Sequence, residues 1–188
     1  MCMRRNLILI FMGVAMFSLC FNATANAYTP WYLWSSGYRN SHYYYVYSQW
    51  DEFYNAQVDW NNLGSDFGTM ARTYVQDGAY CTVVKYNSDD GNCGYCTQSH
   101  SGSYFTAIGI HLNDWFLIGG DPNLGLPLDT ANKRKSVCAH EIGHDHSCDD
   151  VKNTNATDTI MRQTAYGRLT RGTWTPQNWD KNAVNSFY

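Results

Sequence analysis

A single α+β domain is what this chain predicts, on three observations. Apolar and aromatic residues recur at helical spacing over residues 49–63. Period-two or β-branched segments mark strands over 42–47, 80–86 and 106–112. A helix opening near Thr130 carries three of the six histidines.

Taken in order, residues 1–27 come first and read as a secretory signal. Arg4 and Arg5 give a basic start, residues 7–21 are almost wholly apolar, and Ala25-Asn26-Ala27 supplies a small-x-small cleavage site. The apolar run is shorter than the ~20 residues a bilayer span needs. A secreted, extracellular protein is therefore expected, with residues 28–188 forming one domain and no membrane contact after cleavage. Losing Arg4 and Arg5 leaves eleven basic residues against sixteen acidic ones, a formal charge of -5 in place of -3. That balance offers nothing to a nucleic acid, and none is expected as a partner. The expected oligomeric state is a monomer.

Residues 28–60 are dense in aromatics, among them Trp31, Trp34, Tyr43, Tyr44, Tyr45, Trp50, Phe53 and Trp60. Flat rings stack on sugar faces, but the same residues suit a strand at 42–47 and the buried side of a helix at 49–63. Ser48 is the expected cap of that helix, Asp51 and Glu52 suit its positive start, and Gly64 marks its end. Residues 80–86 predict a second strand, closed by the turn-prone run 87–92. Cys93-Gly94-Tyr95-Cys96 follows as a polar, disulfide-bearing loop, since no second CxxC and no βαβ context supports a zinc ribbon or redox pair. Five cysteines remain after cleavage, Cys81, Cys93, Cys96, Cys138 and Cys148; in an oxidising compartment disulfides are expected, with at least one thiol free or intermolecular and all fifteen connectivities open, a Cys138–Cys148 bridge around the histidine motif being one hypothesis among them.

Thr106, Ile108, Ile110 and Leu112 alternate with Ala107, Gly109 and His111, which predicts a half-buried strand with His111 on its polar side. Residues 113–128 read as an ordered loop. The main helix begins with Asp129 or Thr130 as cap, residues 151–159 are loop-like, and Thr175-Pro176 opens a terminal helix with Trp179, Val184 and Phe187 on its apolar stripe.

The chemistry sits in His140-Glu141-Ile142-Gly143-His144. Residues four apart on a helix lie about 40° from each other around the axis, so both imidazoles leave one face and can grip one metal ion. Glu141 stands beside them, where its carboxylate reaches a metal-activated water without being a ligand. His146 and Asp150 are the candidate third ligands. Three protein ligands leave the fourth position of a zinc ion open, the arrangement of a catalytic site.

These residues, with Asp158-Thr159-Ile160-Met161 after them, resemble the metzincin zinc peptidases, most nearly the bacterial matrixin-like and snapalysin-like branches. The resemblance implies a metzincin-like (zincin) domain: a small twisted mixed sheet, the zinc-binding helix, a second long helix and a C-terminal helix. It implies a secreted zinc metalloendopeptidase, a hydrolase acting on protein or peptide substrates with Zn2+ as cofactor and Glu141 as general base. It places Asp150 as third ligand, Met161 as an apolar floor under the metal, and the 110–113 strand as the edge along which substrate extends. Two departures stand out. Ser147 replaces the glycine that ends the family's zinc helix, and a left-handed serine costs on the order of 1 kcal/mol more than glycine. Asp145-His146-Ser147 also looks like the close of a shortened matrixin motif, which would make His146 the third ligand. Tyr166 is a candidate for assisting the oxyanion. The alternative is a catalytically inactive secreted metal- or carbohydrate-binding module on the same fold.

Overall fold

The computed structural model describes residues 32–40, 42–47, 51–77, 79–119, 130–152 and 158–188. The expected signal segment and the Ser48 cap lie outside them. No described helix is long and apolar enough to cross a membrane.

The architecture is mixed α and β. Its elements are α1 (Ser36–Asn40), β1 (His42–Val46), α2 (Asp51–Leu63), β2 (Met70–Thr73), β3 (Cys81–Tyr86), β4 (Gly94–Ser101), β5 (Tyr104–Asn113), α3 (Asp114–Gly119), α4 (Ala131–Asp145), α5 (Ala165–Leu169) and α6 (Asn178–Phe187). The five strands form one sheet in the order β2-β1-β3-β5-β4. Only β4 runs antiparallel to its neighbour.

One face of this sheet packs on α2 and α4, because alternate strand residues are apolar. Tyr44, Cys81, Val83, Ile108, Ile110 and Leu112 are all buried with Phe53, Trp60, Val137 and Ile142. The two long helices are held together by a Trp60 Nε1–H bond to the Ala139 carbonyl at 2.8 Å and by the pairs Arg134–Glu52 and Lys135–Asp59 at 2.6 and 2.8 Å. Of the amino-terminal aromatics, Trp34, Tyr44, Phe53 and Trp60 enter the core, while Tyr43, Tyr47 and Tyr54 stay exposed. Trp31 and Trp50 lie outside the described residues.

Several expectations are corrected. Residues 93–96 are not a loop: Gly94 to Cys96 begin β4, paired to Leu112, His111 and Ile110. The 110–113 strand is not an edge, since β5 is flanked by β3 and β4; the edge beside the motif is β4. Thr106 does not share the buried face of Ile108. A bulge lets β5 advance from Phe105 to Ala107 while β4 moves back only from His100 to Ser99, so Phe105 is the buried residue and Thr106 is exposed. Residues 114–119 are helical, with Asn113 Oδ1 accepting from Trp115 N at 3.1 Å. The terminal helix is capped by Gln177, not Thr175, because the buried Asp180 carboxylate reaches back to Gln177 N at 2.7 Å. No disulfide joins Cys81, Cys93, Cys96, Cys138 and Cys148. Burial raises the pKa of both thiols that flank the histidine motif, helped by the Glu52 charge at Cys138 and the Asp180 charge at Cys148.

Candidate metal centre

Helix α4 is set up by Thr130, whose hydroxyl accepts from Lys133 N at 3.3 Å, and its last ten residues, Ser136 to Asp145, are all buried. Its end is shaped by Ser147 at φ 72°, the sole non-glycine residue of positive φ among those described. Ser147 N bonds His144 O and Cys148 N bonds Gly143 O, both at 3.0 Å, which is the paired closure of a Schellman turn. The Ser147 hydroxyl meets the Tyr188 hydroxyl at 2.6 Å, a contact a glycine there would not have. This reversal brings Asp150 back over the helix face it has just left.

Asp150 Oδ1 lies 3.2 Å from His140 Nε2 and 3.7 Å from His144 Nε2. The three residues can place one ligand atom each within 4.8 Å of one another. His140 Nδ1 bonds the Ile160 carbonyl at 3.0 Å, and His144 Nδ1 bonds the Cys148 carbonyl at 2.8 Å. A carbonyl only accepts, so both Nδ1 atoms carry protons, and a neutral ring then presents Nε2 as a lone pair. Burial, helped by the Arg168 charge, lowers the His140 pKa and favours that neutral form. Burial works to raise the Asp150 carboxyl, but His140, His144 and Arg168 outweigh it and hold the group below its ordinary value. Asp150 Oδ1 is buried without a hydrogen bond of good geometry. Two Nε2 atoms and a carboxylate oxygen thus converge on one point, where a shared proton or a cation can lie between them. A divalent cation satisfies all three, and the nitrogen and oxygen donor set suits zinc.

His146 does not join this group. Its ring is stacked on Trp60 at 4.7 Å and packed on Phe67 at 3.9 Å, with Nδ1 on the Ile142 carbonyl at 2.8 Å. Burial there pushes its pKa down to about 4. One residue past the helix end it still follows the helical phase, about 200° from His144.

Glu141 lies beside the cluster in a cleft of about 460 Å³, lined on one side by residues 91–96 and on the other by residues 163–165 and Arg168. Gly94 lets β4 come this close, since a Cβ there would stand 3.0 Å from Glu141 Oε1 and 3.1 Å from the His111 carbonyl oxygen. Cys96 Sγ is 3.5 Å from Glu141 Oε2, and burial beside Glu141 keeps that thiol protonated by raising its pKa. His111 itself stays on the outer sheet face, stacked on Tyr95 at 4.4 Å. Met161 is fully buried against Gly143, where any Cβ would overlap its sulfur. The Met161 segment is anchored from both sides: Val151 N bonds Met161 O at 2.7 Å, and Asp180 accepts from Ile160 N and from the Thr159 hydroxyl. Tyr166 is half-exposed and is not part of the cleft lining.

Sequence reasoning missed Gly94, Cys96 and Arg168. Gly94 and Cys96 reach the cleft through the pairing of β4 with β5 and Arg168 from α5, and the CxxC spacing says nothing of the cleft.

No protein-family model matches the chain, and no curated protein matches it. A solved structure described as the GM1-bound form of the ECX AB5 holotoxin aligns with 85% of this chain and 82% of that one, at a TM-score of 0.50 and 15% identity. The likeness shows a shared fold. At that identity it carries nothing about activity.

Proposed function

We propose that this chain is a secreted zinc-dependent endopeptidase on a metzincin-like fold, with His140, His144 and Asp150 as ligands and Glu141 as general base. The observation that carries the reading is the convergence of two Nε2 atoms, on rings whose Nδ1 is spent on a backbone carbonyl, with a carboxylate oxygen at the wall of an open cleft. Zinc held by His140, His144 and Asp150 would supply an acidified water and a Lewis acid for the scissile carbonyl. Glu141 takes the proton of the attacking water and delivers it to the departing amine, so that one water is consumed per peptide bond broken. The Ile160 and Cys148 carbonyls hold the two imidazoles in the ligating tautomer. Strand β4, as the sheet edge at the cleft, offers backbone groups to an extended peptide.

Purified chain with one equivalent of zinc is expected to cleave an unfolded protein substrate, and Glu141→Gln to lower kcat by about 10² to 10⁴ while retaining zinc. Absence of cleavage, or an unchanged Glu141→Gln enzyme, would overturn the reading. A second reading, a silent metal- or carbohydrate-binding module, draws on the exposed rings of Tyr43, Tyr47, Tyr54 and Tyr74. It predicts retention on insoluble polysaccharide that is lost when those tyrosines are replaced by alanine.

A further inference from the structure

Among the described residues that line the cleft, Arg168 is the sole cationic side chain. It is 2% exposed, and neither of its hydrogen bonds goes to a carboxylate. Nε bonds the Ser136 hydroxyl at 3.3 Å and Nη1 bonds the Arg162 carbonyl at 2.6 Å. No hydrogen bond to Nη2 is made among the described residues, and Arg168 lines the cleft. Burying a guanidinium without an anion is costly, and folded proteins rarely do so without a use for the charge. The carboxylates that act on it, Glu141 and Asp150, do so through space and without a hydrogen bond. A guanidinium in the cleft wall is a planar fork that fits a further carboxylate in two parallel hydrogen bonds.

We propose that Arg168 is a specificity-determining residue that selects peptides carrying a carboxylate side chain beside the scissile bond. The inference rests on the peptidase reading only for the word scissile; what Arg168 binds is a carboxylate whether or not the bond is cut. Arg168 also braces the segment after Met161 through the Arg162 carbonyl, and that bracing role alone would leave substrate choice unaffected.

The test is a peptide set in which a single Glu is moved through the three positions on each side of one cleavable bond, each matched by a Gln peptide. Zinc-loaded wild type is expected to favour Glu over Gln at one position by about tenfold or more in kcat/KM, with the difference in KM. Calorimetry on zinc-loaded Glu141→Gln, which turns over too slowly to consume the peptide during a titration, is expected to give the same preference in Kd. Arg168→Gln is expected to bring the ratio to about one, and Arg168→Lys to keep part of it, with thermal melts confirming that both variants fold. Cleavage with equal rates for Glu and Gln at all six positions overturns the role of Arg168 and leaves the peptidase standing. Tighter binding of the Glu peptide with no cleavage does the reverse. Equal binding, or a folded Arg168→Gln that keeps the full preference, overturns the inference.

Discussion

Helix α4 ends between two clusters of histidine and aspartate that share residue types and little else. On the cleft side, His140, His144 and Asp150 turn acceptor atoms toward one point. On the core side, His42 Nε2 meets the Asp145 carboxylate at 2.9 Å with both side chains fully buried, Trp34 Nε1–H bonds the Asp145 carbonyl at 2.8 Å, and His146 is packed between Trp60 and Phe67. His144 and Asp145 are adjacent, yet 100° of helical phase sends one to a cleft and the other to an aromatic box. What separates the candidate metal site from the structural polar cluster is convergence on an open cleft: His146 also spends Nδ1 on a backbone carbonyl, but its ring is covered by Trp60 and Phe67. In the first cluster both Nδ1 atoms are used on backbone carbonyls and both Nε2 atoms are left; in the second, Nε2 of His42 is already paired.

Substitutions on each side sharpen that contrast. The largest effect is expected for Asp150→Ala, which removes a ligand and should weaken zinc binding more than 100-fold by competition with a chromophoric chelator, with the metal-free melting temperature little changed. His42→Phe keeps ring volume but orphans Asp145, and should cost about 2 kcal/mol in urea unfolding while zinc affinity stays within a few-fold. If His42→Phe instead abolished zinc binding, the two clusters would be one unit. The smallest effect concerns the turn that separates them. Tyr188→Phe removes the partner of the Ser147 hydroxyl and should cost about 1 kcal/mol, and the cost should shrink in a Ser147→Gly background, where that hydroxyl is gone.

Much of this was legible because it is local. The spacing of His140 and His144, the Thr130 cap, the strand at 81–86 and the helix at 51–63 depend on periodicity and on side chains reaching their own backbone. The choice of third ligand was not. It turned on whether Ser147 would accept a left-handed conformation, and the answer came from Tyr188, forty-one residues away. The edge strand was misread for a similar reason. A glycine-containing, cysteine-flanked segment has weak strand propensity, and β4 forms because β5 offers it a partner and Gly94 lets it approach Glu141.

By itself, then, the amino-acid sequence determined that two imidazoles and a carboxylate leave one end of a helix, since a 3.6-residue period admits no other arrangement of His140, Glu141 and His144. Tertiary structure alone decided that Asp150 rather than His146 lies beside His140 and His144, and that Cys96 and Arg168 share their cleft. Those outcomes rest on a reversed backbone turn, a buried aromatic box and a strand pairing, all of which join residues distant in the chain and leave no local pattern to read.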